Sequence, residues 1–359
     1  MKENIAILAI TKNGIKIGQK IQNHVEDTKL YAPSKHKNLF KISNNVFWYD
    51  GSTSEIILDL FKKNNALICI FSLGAVIRLL SSAIKDKRTD PAVLVIDDQS
   101  NFVISTLSGH IGGANILTRK ISSILNSTPV ITTAADVNNT ISVDLVGSQF
   151  GWNIENYNNV TRISALMVNG EKIALFQDTG QLNWWNNKKF PSNVIKINDV
   201  NLIKQNDSIK GSMIITDSVI HDEEILYKSV IYRPKSLVIG IGLHWDTTKD
   251  DIYNGIRSVF ERNNLSFSSI RNITSIKKKI AVKGLEEFSK DYNLELILFD
   301  SSQLEDIKVP NPSNLVRKFE GVSSVSEASS LLSSKGELII TKQKFPPNLT
   351  VAVSRVNFQ

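Results

Sequence analysis

Short apolar runs alternate with helical spacing over the first 150 positions. Residues 5–10 (IAILAI) and 66–71 (ALICIF) are continuous apolar runs of strand length, as burial on both faces requires. Between them, residues 54–63 place Ile56, Ile57, Leu60 and Phe61 on one helical face. After the second run, Ser72 is positioned to cap a helix carrying Val76, Ile77, Leu80 and Ile84. Pro91 opens a third strand (AVLVID) and residues 102–107 form a fourth. Residues 114–125 return to helical spacing with Ile116, Leu117, Ile121, Ile124 and Leu125, and Pro129 introduces the strand VIT. Strands alternating with helices predict an α/β domain whose sheet contains parallel pairs.

Near position 150 the texture changes. An Asn-rich, Trp-containing segment (NIENYNNV, QLNWWNNKKF) runs to about position 235 with weak periodicity and several short strands. At Leu237 the alternation resumes with a strand, a turn and a helix start in VIGIGLHWDTTKDDI. Thr247 with Asp250, and Thr248 with Asp251, both have capping-box spacing. Ile252, Ile256, Val259 and Phe260 then share a helix face, and the strands LELILF, ELIIT and LTVAV follow, with a helix through Ala328 and Leu332. The expected organisation is three α/β domains: 1–150, a smaller mixed α/β middle domain at 151–235, and 236–359. The first and last carry parallel or mixed open sheets flanked by helices. No fixed-period repeat and no low-complexity linker interrupts them.

Composition narrows the class. The chain has 359 residues, 42% hydrophobic and 21% charged, which excludes wholesale disorder. Forty-two Lys and Arg against thirty-five Asp and Glu leave a net +7, a balance that suits an anionic partner. A single cysteine, Cys69, cannot form an intrachain disulfide, so a reducing compartment is expected. The run 5–10 is shorter than a signal-peptide core, and the apolar stretch 66–84 is broken by Ser72, Gly74 and Arg78. A cytoplasmic chain without a membrane segment is the expectation.

The most informative string is STLSGHIGGAN, residues 105–115. It leaves a strand, passes Gly109, Gly112 and Gly113, and enters the helix at Ala114. Glycines there let backbone amides approach an anionic ligand at a helix N-terminus, or they simply permit close packing. The spacing is neither a dinucleotide fingerprint nor a P-loop. His110 sits inside this turn, where an imidazole could exchange protons near neutral pH or bond a loop carbonyl. The other histidines show no i, i+4 pairing, so no zinc site is expected.

Basic and acidic residues flank the turn. Arg78 interrupts an apolar helix, and Lys85 to Arg88 (KDKR) would end it, complementing its dipole. Asp136 and Asn138 follow the strand that Pro129 opens, at the ligand-binding edge of an open parallel sheet, and Asp144 lies beyond. Turn formation and helix capping are the competing explanation for all three. In the last domain, GIGLH (240–244) reads as a second strand-to-helix Gly turn, and together with VPNPS (309–313) and KQKFPP (342–347) it suggests a second cleft edge. Trp184 and Trp185 with Lys188 and Lys189 are the only aromatic–basic cluster, too little for nucleic-acid binding.

Taken in order, these strings resemble one family: CbiG, the cobalt-precorrin-5A hydrolases of anaerobic cobalamin biosynthesis. The resemblance rests on GAVIRLLSSAIKDKRTDPAVLVID, FVISTLSGHIGGAN, PVITTAADVN and VDLVGSQFGW, then GIG, FSSI, VPNPS, GVSSVSEASSLL, ITKQK and LTVAVSR. It covers residues 66–152 and 237–356 well. One departure stands out: after GIG the family often carries a cysteine and basic residues, whereas here Leu243, His244, Trp245 and Asp246 follow.

The resemblance implies a hydrolase that opens the δ-lactone between the ring A acetate and the extruded meso carbon. It then releases that carbon as acetaldehyde to give ring-contracted cobalt-precorrin-5B. On this reading His110 is the candidate base, and Asp136 orients water or a donor. The amides of Gly112 and Gly113 supply oxyanion or carboxylate donors, and Arg78, Lys87 and Arg88 anchor substrate carboxylates. Ser108, Gly109, Asn115, Thr133, Asn138, Gly240 and Gly242 complete the substrate-binding set. No cofactor beyond the substrate's cobalt is implied. Neighbouring enzymes of the pathway are candidate partners, and the oligomeric state is open, a homodimer included. Two other readings stand beside it: a non-catalytic corrinoid carrier, and a nucleotide-binding protein.

Overall fold

The structure, a computed structural model, describes residues 4–40, 46–185 and 189–358. The chain forms two compact units, Met1–Leu145 and Val146–Gln359.

The first unit is one seven-stranded sheet in the order β3-β2-β1-β4-β5-β6-β7. Its strands are β1 (Ile5–Ala9), β2 (Thr28–Pro33), β3 (Val46–Tyr49), β4 (Ala66–Ile70), β5 (Ala92–Ile96), β6 (Phe102–Leu107) and β7 (Thr128–Val130). All pairs are parallel except β5 with β6. Strands β1, β4 and β5 are buried throughout because helices cover both faces. Ile5, Ile7 and Ala9 pack with α1 (Lys12–Gln22) and α4 (Ala114–Leu125), while Ala6 and Leu8 pack with α2 (Thr53–Lys63) and α3 (Leu73–Leu80). Cys69 of β4 is fully buried, and that burial pushes its thiol pKa far up. After β7 come a short helix, α5 (Ala134–Val137), and a 3-10 turn, Val143–Leu145.

The second unit carries two five-stranded sheets. One is ordered β10-β9-β11-β12-β8, with β8 (Asn153–Ile154), β9 (Ile173–Gln177), β10 (Val194–Ile197), β11 (Gly211–Ile215) and β12 (Ser229–Arg233). Only β8 runs antiparallel to its neighbour. Helices α6 (Val160–Val168), α7 (Leu202–Gln205) and α8 (Glu223–Lys228) belong to this part. Trp184 is buried here, its indole Nε1 donating to Gln177 Oε1 at 2.9 Å, so it serves packing; Lys188 lies outside the described residues.

The other sheet is ordered β15-β14-β13-β17-β16, with β13 (Leu237–Leu243), β14 (Ile270–Ile276), β15 (Glu295–Phe299), β16 (Glu337–Phe345) and β17 (Leu349–Arg355). It is mixed: β13, β14 and β15 pair in parallel, whereas β17 is antiparallel to both β13 and β16. On one face, α9 (Lys249–Arg262) and α10 (Lys283–Asp291) cover the apolar side chains. The capping box at the start of α9 is the Thr248–Asp251 pair. The sequence then forms α11 (Ser301–Glu305), α12 (Asn314–Glu320) and α13 (Val325–Ser334). Helix α13 lies close to β13 because small residues meet there: a Cβ on Gly240 would stand 1.8 Å from the Ser326 carbonyl oxygen. Buried hydroxyls seal the contact, Ser329 with Thr274 and Ser330 with Ser354. No helix among the described residues is long and apolar enough to cross a membrane.

Two polar ties join these sheets within the second unit. Asp217, fully buried, accepts both Arg355 Nε and Nη2 at 2.9 Å and the Ser236 hydroxyl at 2.8 Å. Its backbone carbonyl also receives the Ser266 amide at 2.8 Å.

Candidate functional site

The turn between β6 and α4 is tight. Ser108 and Gly113 both have positive φ, +55° and +84°. A Cβ on Gly112 would lie 2.4 Å from Ser108 Cβ, and one on Gly109 would lie 2.7 Å from Asn115 Oδ1. The glycines therefore serve close packing. The amides at the helix start are also committed: Gly113 N donates to His110 O, Ala114 N to Ser108 O, and Asn115 N to Gly109 O. This corrects the expectation that Gly113 offers a free donor to an oxyanion. These three N–H groups are satisfied within the turn, which leaves fewer donors for a nucleotide phosphate. The Ser108 hydroxyl is buried with no partner among the described residues.

What the turn does present is His110. Its Nδ1 lies 3.1 Å from Asp144 Oδ1, and its Nε2 lies 3.2 Å from Asp136 Oδ2. Asp136 is brought in by α5, and Asp144 by the 3-10 turn that buried Ile141 and Val143 hold against the unit. Asp136 receives two further donors, Asn115 Nδ2 at 2.8 Å and Arg119 Nη2 at 2.7 Å. Asn115 is itself fixed: it donates to Thr133 Oγ1 at 3.0 Å and accepts from Ser105 Oγ at 2.6 Å.

Two carboxylates facing one imidazole demand two N–H donors, which only the imidazolium has. The hydrogen bond to Asp144 is the largest cause holding the His110 pKa above its ordinary value; burial opposes it, and Asp136 adds to it. Burial would raise Asp136, but Arg119 and Asn115 outweigh it and hold that carboxyl below the usual range. The cluster thus favours an imidazolium between two carboxylates, with the His110 side chain 17% and the Asp144 side chain 11% exposed. It can give a proton at once and take one afterwards.

The structure brings His110, Asp136, Asn115 and Thr133 together, and adds Asp144 and Arg119. Arg119 was absent from the sequence reading, although it lies one helical turn after Asn115 on α4 and so faces the same carboxylate. Arg78 is exposed on α3, its guanidinium turned back to the Gly74 carbonyl at 3.3 Å. The KDKR segment does not end a helix, because α3 stops at Leu80. It is a turn gathered on buried Asp90, which accepts the Lys85 and Asp86 amides at 2.8 and 3.1 Å. Arg88 Nε binds Asp86 Oδ1 at 2.9 Å and holds that carboxyl at a pKa of about 2. Lys87 is exposed, and Asn138 closes α5, its amide donating to Ala134 O.

Gly240 and Gly242 lie inside β13, not in a strand-to-helix turn. Gly240 is needed by the approach of α13, so it has no room for a ligand. Gly242 opens onto a cavity of about 800 Å³ at the carboxyl ends of β13 and β14. The GIGLH, VPNPS and KQKFPP strings converge there, contributing Leu243 and His244, Ser313, and Lys342 with Lys344. Sequence reading missed two other contributors, Lys278 to Ile280 after β14, and Leu315 with Phe319 on α12. The Leu243–Asp246 segment forms one rim. His244 Nδ1 and Asn348 Nδ2 both meet Asp246 Oδ1, at 2.8 and 2.9 Å, leaving Trp245 65% exposed. Among the described residues no three His, Cys, Asp or Glu side chains gather as a metal site.

Three family descriptions match consecutive parts of the chain: cobalamin synthesis G N-terminal over residues 55–136, cobalamin biosynthesis central region over 141–234, and cobalamin synthesis G C-terminus over 237–354. The chain is 36% identical over 356 residues to the cobalt-precorrin-5A hydrolase of Priestia megaterium, covering 98% of this chain and 95% of that protein. It is 27% identical over 343 residues to the cobalt-precorrin-5A hydrolase of Salmonella typhimurium, covering 94% and 93%. A solved cobalamin biosynthesis protein G homolog from Sulfolobus solfataricus is 24% identical, covering 99% of this chain and 97% of that one, with a TM-score of 0.39.

Proposed function

The chain belongs to the CbiG family of cobalamin biosynthesis, and from that premise we propose that it hydrolyses cobalt-precorrin-5A. The proposed reaction opens the ring A acetate δ-lactone and releases acetaldehyde, leaving ring-contracted cobalt-precorrin-5B. The observation that carries the chemistry is the Asp144–His110–Asp136 cluster, a proton donor that becomes a proton acceptor once it has acted.

In the first step water adds to the lactone carbonyl. The acyl–oxygen bond breaks, and the departing alkoxide takes the proton from His110. The attacking water's proton passes to the neighbouring carboxylate pair. In the second step neutral His110 removes the proton from the newly freed hydroxyl on the extruded carbon. The carbon–carbon bond then breaks, acetaldehyde leaves, and the electron pair enters the macrocycle of the substrate, which carries the cobalt. The protein moves protons only. Arg119 fixes Asp136 during both steps, and the exposed cations Arg78 and Lys87 serve as anchors for substrate carboxylates.

Anaerobic incubation of the purified protein with cobalt-precorrin-5A tests this, with acetaldehyde detection and a mass spectrum of the tetrapyrrole. Acetaldehyde with the matching mass loss from the tetrapyrrole is expected. Tight binding without acetaldehyde would favour a carrier for corrinoid intermediates, and neither binding nor turnover would overturn both readings.

A further inference from the structure

We propose that a second hollow in the Val146–Gln359 unit, lined by Val219, His221 and one face of α9, binds a small flat aromatic molecule carrying one acidic group. It shares no lining residue with the cavity at β13 and β14, and the inference does not rest on the hydrolase reading.

The hollow holds about 540 Å³, within the range of small-molecule sites. It lies where the segment after β11 meets the segment after α9. Ser218 forms an antiparallel bridge with Leu265, and Val219 N donates to Asn264 O at 2.7 Å. His221 Nε2 and Asn264 Oδ1 meet at 3.0 Å. From α9, Tyr253, Arg257 and Glu261 line the hollow at four-residue spacing, which puts them on one helix face. A molecule seated there touches both segments, so its binding also fastens the joint between the two sheets of this unit.

The lining selects the ligand. Tyr253 stacks on Tyr292 with ring centroids 5.7 Å apart and planes 11° apart, and it tilts against Phe267 at 6.2 Å. Phe267 in turn tilts on buried Phe260 at 4.8 Å. These contacts hold the partly exposed rings of Tyr253 and Phe267 as an aromatic wall, against which another ring packs in stacked or edge-on geometry. Arg257 supplies the charge. Glu261 Oε1 takes its Nε at 2.6 Å, and the Tyr253 hydroxyl also accepts from it. A guanidinium has five N–H donors, so these two acceptors leave capacity for the planar fork that a carboxylate or phosphate matches. The Arg257 side chain is 55% exposed, so an anion reaches it from solvent. Arg257 is the one permanent cation lining the hollow and Glu261 the one carboxylate, which fits a single acidic group and disfavours a polycarboxylate. Nucleoside monophosphates and aromatic carboxylates share this chemistry.

The test is calorimetric titration of the full-length protein with AMP and with indole-3-acetate. At least one should bind with a Kd below about 1 mM and raise the thermal midpoint. AMP binding would identify a nucleotide ligand, and indole-3-acetate binding an aromatic carboxylate. Arg257→Ala should weaken that binding about ten-fold. Val219→Trp, which fills the hollow, should abolish it, with circular dichroism reporting the fold. Binding of neither probe to the wild-type protein would overturn the proposal. Affinity unaltered in Arg257→Ala would overturn it too, because the acidic group would then be held elsewhere, and this variant changes only an exposed side chain. Arg257 takes no part in the proton transfers assigned to His110, so acetaldehyde release by Arg257→Ala should match wild type. Failure of either reading therefore leaves the other standing.

Discussion

His110 and Asp144 meet across thirty-four positions of sequence, Nδ1 to Oδ1 at 3.1 Å, and this pairing favours the protonated imidazole. Removing the imidazole should therefore cost both proton transfers. His110→Gln is expected to lower kcat by about 10²- to 10⁴-fold, with KM little changed, measured by acetaldehyde release. An equal kcat would exclude His110 from the chemistry.

Asp144→Asn separates charge from position. The amide can still occupy the site but no longer favours the imidazolium, so the histidine should titrate at lower pH. The limb of the kcat/KM profile that reports His110 should move toward acid relative to wild type. A profile that stays in place would mean Asp144 only packs.

The same pairing makes stability depend on pH. The folded value of His110 is raised above its unfolded value of about 6.5. Its stabilisation is therefore complete below about pH 6.5 and is lost as pH rises through the raised folded value. Asp136 runs the other way: its lowered value gives stability that is present above about pH 4 and lost as pH falls through the folded value. Urea midpoints of wild type and His110→Gln should converge as pH rises above about 6.5 and through the raised folded value. Divergence over that range would contradict the protonated cluster.

Asp217 is buried under three side-chain hydrogen bonds, two of them from Arg355. Asp217→Ala strands the guanidinium and should cost about 3–5 kcal/mol, read as a fall in the urea midpoint. A loss below 1 kcal/mol, about the value of an exposed pair, would show that water reaches Arg355 freely.

Gly240→Ala tests the helix–strand contact. The added Cβ would meet the Ser326 carbonyl oxygen, a backbone atom that cannot turn aside. A loss of about 1–3 kcal/mol is expected by thermal melting. Gly51, where a Cβ meets nothing within 4 Å, carries no such clash, but its φ of +95° still strains an alanine.

The fold was legible where burial is two-sided. Strands β1, β4 and β5 and helices α4 and α9 follow from unbroken apolar runs or a clear helical stripe, because those residues are buried in apolar cores. Strand β2 was not, since its exposed and buried positions alternate only in part and it lies between a short edge strand and the core. The GIG string misled because glycine in a strand and glycine in a turn look alike without the helix that packs on it. At the site, the histidine and Asp136 were readable from a turn and a strand end, but the role of Asp144 and Arg119 is a matter of distance in space. Lys279 and Phe319 were invisible for the same reason: nothing local says that the end of β14 faces α12.

The single thiol has a practical consequence. Cys69 is enclosed on both faces of β4, and its pKa is pushed far up by burial, so almost no thiolate reaches solvent. The folded chain is thus a silent background for maleimide chemistry. A cysteine introduced at any exposed position would carry the whole label, and a probe placed beside each unit would report the distance between them as substrate binds.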